Sequence, residues 1–269
     1  MTKMRFKCIK NSKIKFRIKD IIQMSLSGLE AFLDNISKNY PDLLEIVINN
    51  LTSHFEKIKD YNVSLNLELK GFQEYPQLMN KSINIILYLV QFTKYQQISI
   101  DEEIEIEVSD LIHTFNHFEY YFIESLMKIL SVEEAINHYQ NFVNELTESK
   151  RDPKNYLENL QDLANNFKNF SERWHDLEAI LEIIDKEKLV YKIKKCRWAE
   201  DLKDFDPEIG YTMICHQDFE RAKNFNPNFV LTRNHTLMEG DEFCDFCYHD
   251  TRNKKDISHP SNDFWNKFN

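Results

Sequence analysis

The chain has 269 residues, 42% hydrophobic and 13% aromatic, enough to bury a substantial core. Its net charge of −10, from 34 Lys and Arg against 44 Asp and Glu, argues against a nucleic-acid partner, which needs clustered cations to neutralise phosphate. The four Gly form neither G-x-G-x-x-G nor G-x-x-x-x-G-K-S/T, which argues against Rossmann and P-loop nucleotide binding, and no apolar run reaches the roughly 18 residues of a membrane span.

In chain order, Lys3 to Lys19 alternates basic residues with Phe6, Cys8, Ile14, Phe16 and Ile18. This predicts a hairpin with a solvated basic face, turning at Asn11-Ser12. Ser27 to Asn39 predicts a helix opened by a capping box, Ser27 with Glu30, and Pro41 to Lys59 a second with proline at its first position. Val63 to Leu69 alternates strictly and predicts a strand. Ile83 to Tyr95 reads as a buried helix, with a strand as the alternative, and Ile98 to Val108 as another strand.

From Ser109 the pattern becomes helical. Leu111, Phe115, Phe118, Phe122 and Leu126 form one apolar stripe, and Ser131 with Glu134 caps a second helix running to Leu146. Beyond the breaker at Asp152-Pro153, a long helix is expected to carry Leu157, Leu163, Phe167, Trp174, Leu181 and Ile184. Leu189, Tyr191 and Ile193 alternate with lysines, so a strand leads into Cys196. Trp198 to Asp204 predicts a short helix. Asp206-Pro207-Glu208 opens another, running to about Lys223. Its weak point, Ile209 to Met213, also fits a strand. Phe229 to Met238 and Phe243 to His249 predict a hairpin around Gly240-Asp241.

The fold class expected is α+β: helix-rich, with antiparallel helices followed by a small C-terminal antiparallel β-sheet packed on a helix. Three regions are expected: 1–105 with no assignable function, a domain over 106–250, and a loose polar tail over 251–269. The odd number of cysteines and a start lacking an apolar leader predict a reducing, cytoplasmic setting. No membrane association is expected, and a homo-oligomer is compatible with the sequence.

The chemistry concentrates in Cys196 to Asp250, which holds four of the five cysteines. A hairpin at Gly240-Asp241 pairs Leu237 with Cys244, His235 with Phe246 and Arg233 with Tyr248, placing all six on one face. Thr232, Asn234, Thr236, Asp245 and Cys247 share the other. On the preceding helix Cys215 and Asp218 lie three apart, one turn beyond Tyr211. A pocket between helix and hairpin would hold thiols, a carboxylate and a pocket-exposed guanidinium, a set suited to a small anionic amidine. The plainer reading makes the cysteines small buried hydrophobes and His235 a satisfied strand residue. No cofactor or metal is expected. The alternative is zinc on Cys244-x-x-Cys247 with His249, which needs a knuckle because strand neighbours three apart point to opposite faces. His113 and His117 with Glu124 lack a further ligand and read as a solvated or hydrogen-bonded pair.

These residues resemble the L-2-amino-thiazoline-4-carboxylic acid hydrolase family. The resemblance runs through Cys196-Arg197-Trp198-Ala199-Glu200, Pro207-Glu208-Ile209-Gly210-Tyr211, Cys215 with Asp218, and Phe225-Asn226-Pro227. It continues in Leu231-Thr232-Arg233, Thr236-Leu237-Met238-Glu239-Gly240, and Cys244-Asp245-Phe246 with Tyr248. Cys247 and His249 depart from the pattern. The resemblance implies a hydrolase acting on a carbon–nitrogen bond of a small cyclic amidine or isothiourea that carries a carboxylate. Arg233 would bind the carboxylate, and Asp218 or Glu239 would activate water or hold the amidinium. Cys215 or Cys244 would be the nucleophile of a covalent route, and His235, Thr236, Cys196 and Tyr211 would line the substrate. The block also looks like small-ligand-binding vinyl-reductase-type domains, which implies a sensor without turnover as the alternative.

Overall fold

A computed structural model describes residues 3–56, 58, 60–61, 69, 72–95, 99–184, 187–253 and 256–269. Strand β1 (Met4–Phe6) and strand β2 (Lys13–Arg17) precede three helices, α1 (Ile18–Asn39), α2 (Pro41–Phe55) and α3 (Pro76–Leu89). Strand β3 (Glu103–Glu107), α4 (Val108–Met127), α5 (Val132–Ser149) and α6 (Leu160–Trp174) come next. The remainder holds β4 (Leu177–Ile184), β5 (Lys188–Cys196), α7 (Arg197–Asp201), α8 (Pro207–Gly210) and α9 (Asp218–Phe225). It closes with β6 (Phe229–Thr232), β7 (Cys244–Asp250) and α10 (Asn262–Lys267). The fold is α+β.

The chain divides into two compact units, Lys13–Phe142 and Met1–Ser12 with Val143–Asn269. The boundary expected at residues 105–106 falls inside β3, because Lys13–Arg17 pairs antiparallel with Glu103–Glu107 and ties that region together. In the Lys13–Phe142 unit the core is aromatic: Phe32 stacks on Phe122 at 5.1 Å and Phe55 on Phe118 at 6.1 Å. The Ser27–Glu30 capping box is not used, since the apolar periodicity of Ile18, Ile21, Ile22 and Leu26 already carries α1 through Ser27. Ser131 is a true cap, its Oγ 3.3 Å from Glu134 N while Glu134 Oε2 accepts from Ser131 N at 3.0 Å. The His113 and His117 rings lie 3.8 Å apart and tilted on α4, and Glu124 pairs with His54 instead, at 3.2 Å. The strand expected at Val63 to Leu69 lies outside the described residues except for Leu69.

The second unit is built on a five-stranded antiparallel sheet in the order β1-β4-β5-β7-β6. The N-terminal hairpin does not form. Asn11, at φ 61°, turns the chain, but β1 pairs with β4 and β2 with β3, in separate sheets. The long helix after Pro153 is two elements. Asn159 caps α6 through Gln161 N and Asp162 N, and the left-handed His175 stops it, so Leu177, Leu181 and Ile184 lie in β4. Helices α6 and α9 cover one sheet face, burying Leu163, Ala164 and Ala222 against Leu181, Tyr191, Phe229 and Phe246.

The tail is not loose. Ser261 caps α10, and Trp265 and Phe268 are buried against Ile180, Val190 and Cys247 on the other sheet face. Among the described residues no helix is long and apolar enough to cross a membrane.

Candidate functional site

Asp206 caps α8 by accepting from Glu208 N at 2.9 Å, with Pro207 at its first position. The next segment is neither a plain α-helix nor a strand. Tyr211–Cys215 is a π turn, closed by a bond from His216 N to Tyr211 O at 2.9 Å, and α9 resumes at Asp218. The β6–β7 pairing sets Leu231 opposite Tyr248 and Thr232 opposite Cys247, two residues from the expected register. A two-residue slip preserves parity, so Cys244 and Cys247 take opposite faces. Cys244 packs with Tyr191 and Phe246, and Cys247 with Val190 and Trp265.

Arg233 comes directly after β6 and reaches into the α9 face. Its Nη1 donates to Asp218 Oδ2 at 2.7 Å, and its Nη2 to Tyr211 OH and Cys215 O, both at 3.1 Å. Phe246, Phe219 and Tyr211 surround the guanidinium, with centroids 4.9, 5.1 and 5.3 Å away. The side chain is 1% exposed, so the expected exposed guanidinium is instead a core group. Burial pushes the Asp218 carboxyl up, opposed by Arg233. The Arg233 guanidinium is held charged: burial opposes its charge, but Asp218, Cys215 and Tyr211 together outweigh burial.

The thiols of Cys215 and Cys244 lie close enough to this pair to feel both its charges, and the Cys196 thiol lies close enough to Cys244 to feel charge on it. Burial pushes all three up, Cys244 to about 12 even though Leu237 N donates to its Sγ at 3.2 Å. At neutral pH they are thiols rather than thiolates. The neighbouring motif residues act as clamps. Arg197 binds Cys8 Sγ at 3.3 Å and the Ile9 carbonyl, and Trp198 Nε1 donates to Asp176 Oδ2 at 2.9 Å.

The other expected site residues point elsewhere. Thr236 Oγ1 donates to Glu239 Oε2 at 2.7 Å and accepts from Glu239 N at 3.1 Å, capping a 3-10 turn over Leu237–Glu239. Gly240 closes that turn at φ 94°. A Cβ on Gly210 would lie 2.7 Å from Met238 Sδ, so glycine is what lets this turn approach α8. His235 lies with Asp245, on the face opposite Arg233, because strand pairing ends at Thr232 and alternation no longer governs it.

That second face carries a network that no sequence pattern predicted. Asp245 is fully buried and accepts from Asn234 N and His235 N at 2.8 Å. Its Oδ2 meets His235 Nδ1 at 2.7 Å and His259 Nε2 at 3.0 Å. Burial alone would raise Asp245, but these bonds hold it below its ordinary range, and they raise His235. His259 Nε2 also lies 3.0 Å from the Trp265 indole N–H, and His259 Nδ1 lies 2.9 Å from Thr232 Oγ1. His249 Nε2 lies 2.9 Å from the same hydroxyl, while its buried Nδ1 has no hydrogen-bond partner among the described residues. Burial, Lys188 and His259 push His249 down to about 4. The signal available in sequence was the alternation of Asp245, Cys247 and His249 on one strand. Nothing local pointed to His259.

Both the α+β architecture and this pair of sheet faces define a helix-covered sheet domain. A sequence profile of the L-2-amino-thiazoline-4-carboxylic acid hydrolase family matches residues 112–248, and the chain belongs to that family. No curated protein matches the chain. Among solved structures, an Fe(II) unliganded H-NOX protein from K. algicida is 13% identical over 88% of this chain and 99% of that one, with a TM-score of 0.28. A point mutant of it is 14% identical over 87% and 97%, with a TM-score of 0.26. Overlaps this weak carry no argument about this chain.

Proposed function

We propose that this chain is a cytoplasmic, cofactor-independent hydrolase that opens a small cyclic amidine or isothiourea carrying a carboxylate, of the 2-aminothiazoline-4-carboxylate type. The observation that carries the reading is the buried Arg233–Asp218 pair at 2.7 Å, walled by Tyr211, Phe219 and Phe246. A substrate bearing both a carboxylate and an amidinium is the electrostatic image of that pair. It replaces Asp218 on Arg233 with its own carboxylate and gives Asp218 its amidinium, so neither buried charge is left alone. The aromatic walls suit a flat ring.

In this reading Asp218, made more basic by burial, takes a proton from water as the oxygen adds to the amidinium carbon. It returns the proton to the ring nitrogen as the carbon–nitrogen bond breaks, giving a carbamoyl product with a free amine. Water attack fits better than a covalent route through Cys215 or Cys244, since both thiols are held protonated. The same observation favours a second reading, in which the pocket binds such a molecule without turning it over. Incubating the protein with 2-aminothiazolines and related lactams, read by mass spectrometry and calorimetry, separates them. Product that disappears in Asp218→Asn supports the hydrolase, and binding without product supports the sensor. Neither binding nor product would sink both.

A further inference from the structure

We propose a second ligand site on the opposite face of the sheet, one that holds a small amino acid by its carboxylate and its amino group. It goes beyond the hydrolase reading and shares none of its residues. A cavity of about 300 Å³ lies there, lined by Lys192, Lys194, Glu242, Phe243, Asn266 and Asn269. Its volume is that of a small-metabolite pocket.

The strand geometry aims two ammonium groups into it. Lys192 projects from β5 away from the apolar core that holds Tyr191 and Ile193. In the β4–β5 ladder Glu178 pairs with Lys195 and Ala179 with Ile193, so Lys194 is an extra residue on β5. A bulge of this kind leaves its residue out of the ladder and re-aims its side chain. Alternation alone already sets Lys194, two residues on, toward the same face and cavity as Lys192, and leaving the ladder frees it to reach in.

Both ammonium groups meet neutral acceptors. Lys192 is 5% exposed, with Nζ donating to Trp265 O at 2.5 Å and Phe268 O at 3.4 Å. Lys194 Nζ donates to Asn269 Oδ1 at 3.1 Å. Each ammonium has three N–H groups, so donors remain on both, and no carboxylate among the described residues lies in ion-pair range of either. The buried Lys192 ammonium is served by two carbonyls and the Phe243 ring, with the Glu242 charge acting on it without a direct ion pair, and a ligand anion would match it better. In a chain of net charge −10, this cavity is a local exception.

The remaining lining narrows the ligand. Glu242 sits in the same cavity and repels phosphates and other polyanions, but it accepts an amino group from a molecule whose carboxylate faces the lysines. Phe243, with Lys192 Nζ 4.3 Å from its ring centroid, gives an apolar wall for a side chain. The carboxamides of Asn266 and Asn269 supply further donors and acceptors. Carboxylate, ammonium and a modest side chain describe an amino acid.

The test is calorimetric titration of the full chain with each standard amino acid, with acetate and methylamine as single-charge probes. At least one amino acid should bind with a Kd of about 1 mM or tighter. Acetate and methylamine should bind at least about tenfold more weakly, and Lys194→Gln and Glu242→Gln should each weaken the amino acid by about tenfold. Urea midpoints of both variants would establish that the fold is retained, which the half-buried Lys194 and exposed Glu242 favour. The proposal is overturned if no amino acid binds, if acetate binds as tightly, or if both folded variants bind unchanged.

Discussion

On one face of the five-stranded sheet a guanidinium, Arg233, is enclosed by aromatic rings and paired with one carboxylate. On the other face a carboxylate, Asp245, is enclosed by two imidazoles and two backbone N–H groups. Both charges are buried, but their compensation differs in kind. Arg233 leans on a single countercharge plus two neutral oxygens, so a ligand carrying its own pair of charges has something to exchange with. Asp245 meets four polar groups, two of them main-chain donors, and loses by any exchange. The first arrangement suits an occupant that comes and goes. The second suits a fastener for the tail.

The largest effect should come from breaking the single pair. Arg233→Leu leaves Asp218 buried without its cation and should cost about 3–5 kcal/mol in urea denaturation. Removing both charges, as Arg233→Leu with Asp218→Leu, should recover much of that loss. If the single variant costs nothing, the contrast between the faces fails.

Acid should strike the opposite face next. The His249 pKa is depressed to about 4, so its contribution is complete above the ordinary imidazole value and is lost as pH falls toward 4. That difference amounts to about 3 kcal/mol at most. Asp245, also held low, begins to lose its contribution below the ordinary carboxylate range. His235 is raised, so its contribution is complete below the ordinary imidazole value and is lost as pH rises above it, outside the window in which His249 acts. His249→Gln should flatten the stability profile between pH 6.5 and 4, as measured by denaturation at each pH.

Asp245→Asn should cost less than Arg233→Leu, about 1–3 kcal/mol, because the two main-chain bonds survive. A larger loss would mean that the imidazoles, and not the backbone, carry the network. Glu239→Gln should be smallest, about 0.5–1 kcal/mol, since it disturbs one exposed cap. Alongside these, a thiol reagent should label Cys215 and Cys244 slowly in the native protein and fully in denaturant. Fast native labelling of either would revive the covalent route.

How much of this was legible in the sequence depended on whether the physics was local. The caps at Ser131 and Asp206 were readable because their partners lie within three residues. The same signal misled at Ser27, where the upstream apolar stripe had already begun the helix. Leu177, Leu181 and Ile184 continue the spacing of α6, and only the turn at His175 separates helix from strand. Arg233 meets Asp218 and the Cys215 carbonyl, and the three-residue spacing of Cys215 and Asp218 was the local, readable part of that arrangement. His235 escaped because parity stops where pairing stops. His259 and Trp265 reach Asp245 and its surroundings only through a long return of the chain, which no spacing encodes.

The π turn at Tyr211–Cys215 acts as a phase adjuster. One added residue advances a helix by about 100°, so the segment before the turn and the segment after it can each be aimed independently. Upstream, Gly210 must face Met238; downstream, Asp218 must face Arg233. The turn also frees the Cys215 carbonyl to meet the guanidinium. A chain shorter by one residue here could keep its composition and helical propensity and still miss one of the two alignments. Residue spacing from Gly210 to Asp218 is therefore a better marker of a working Arg233 site than the identity of any residue between them.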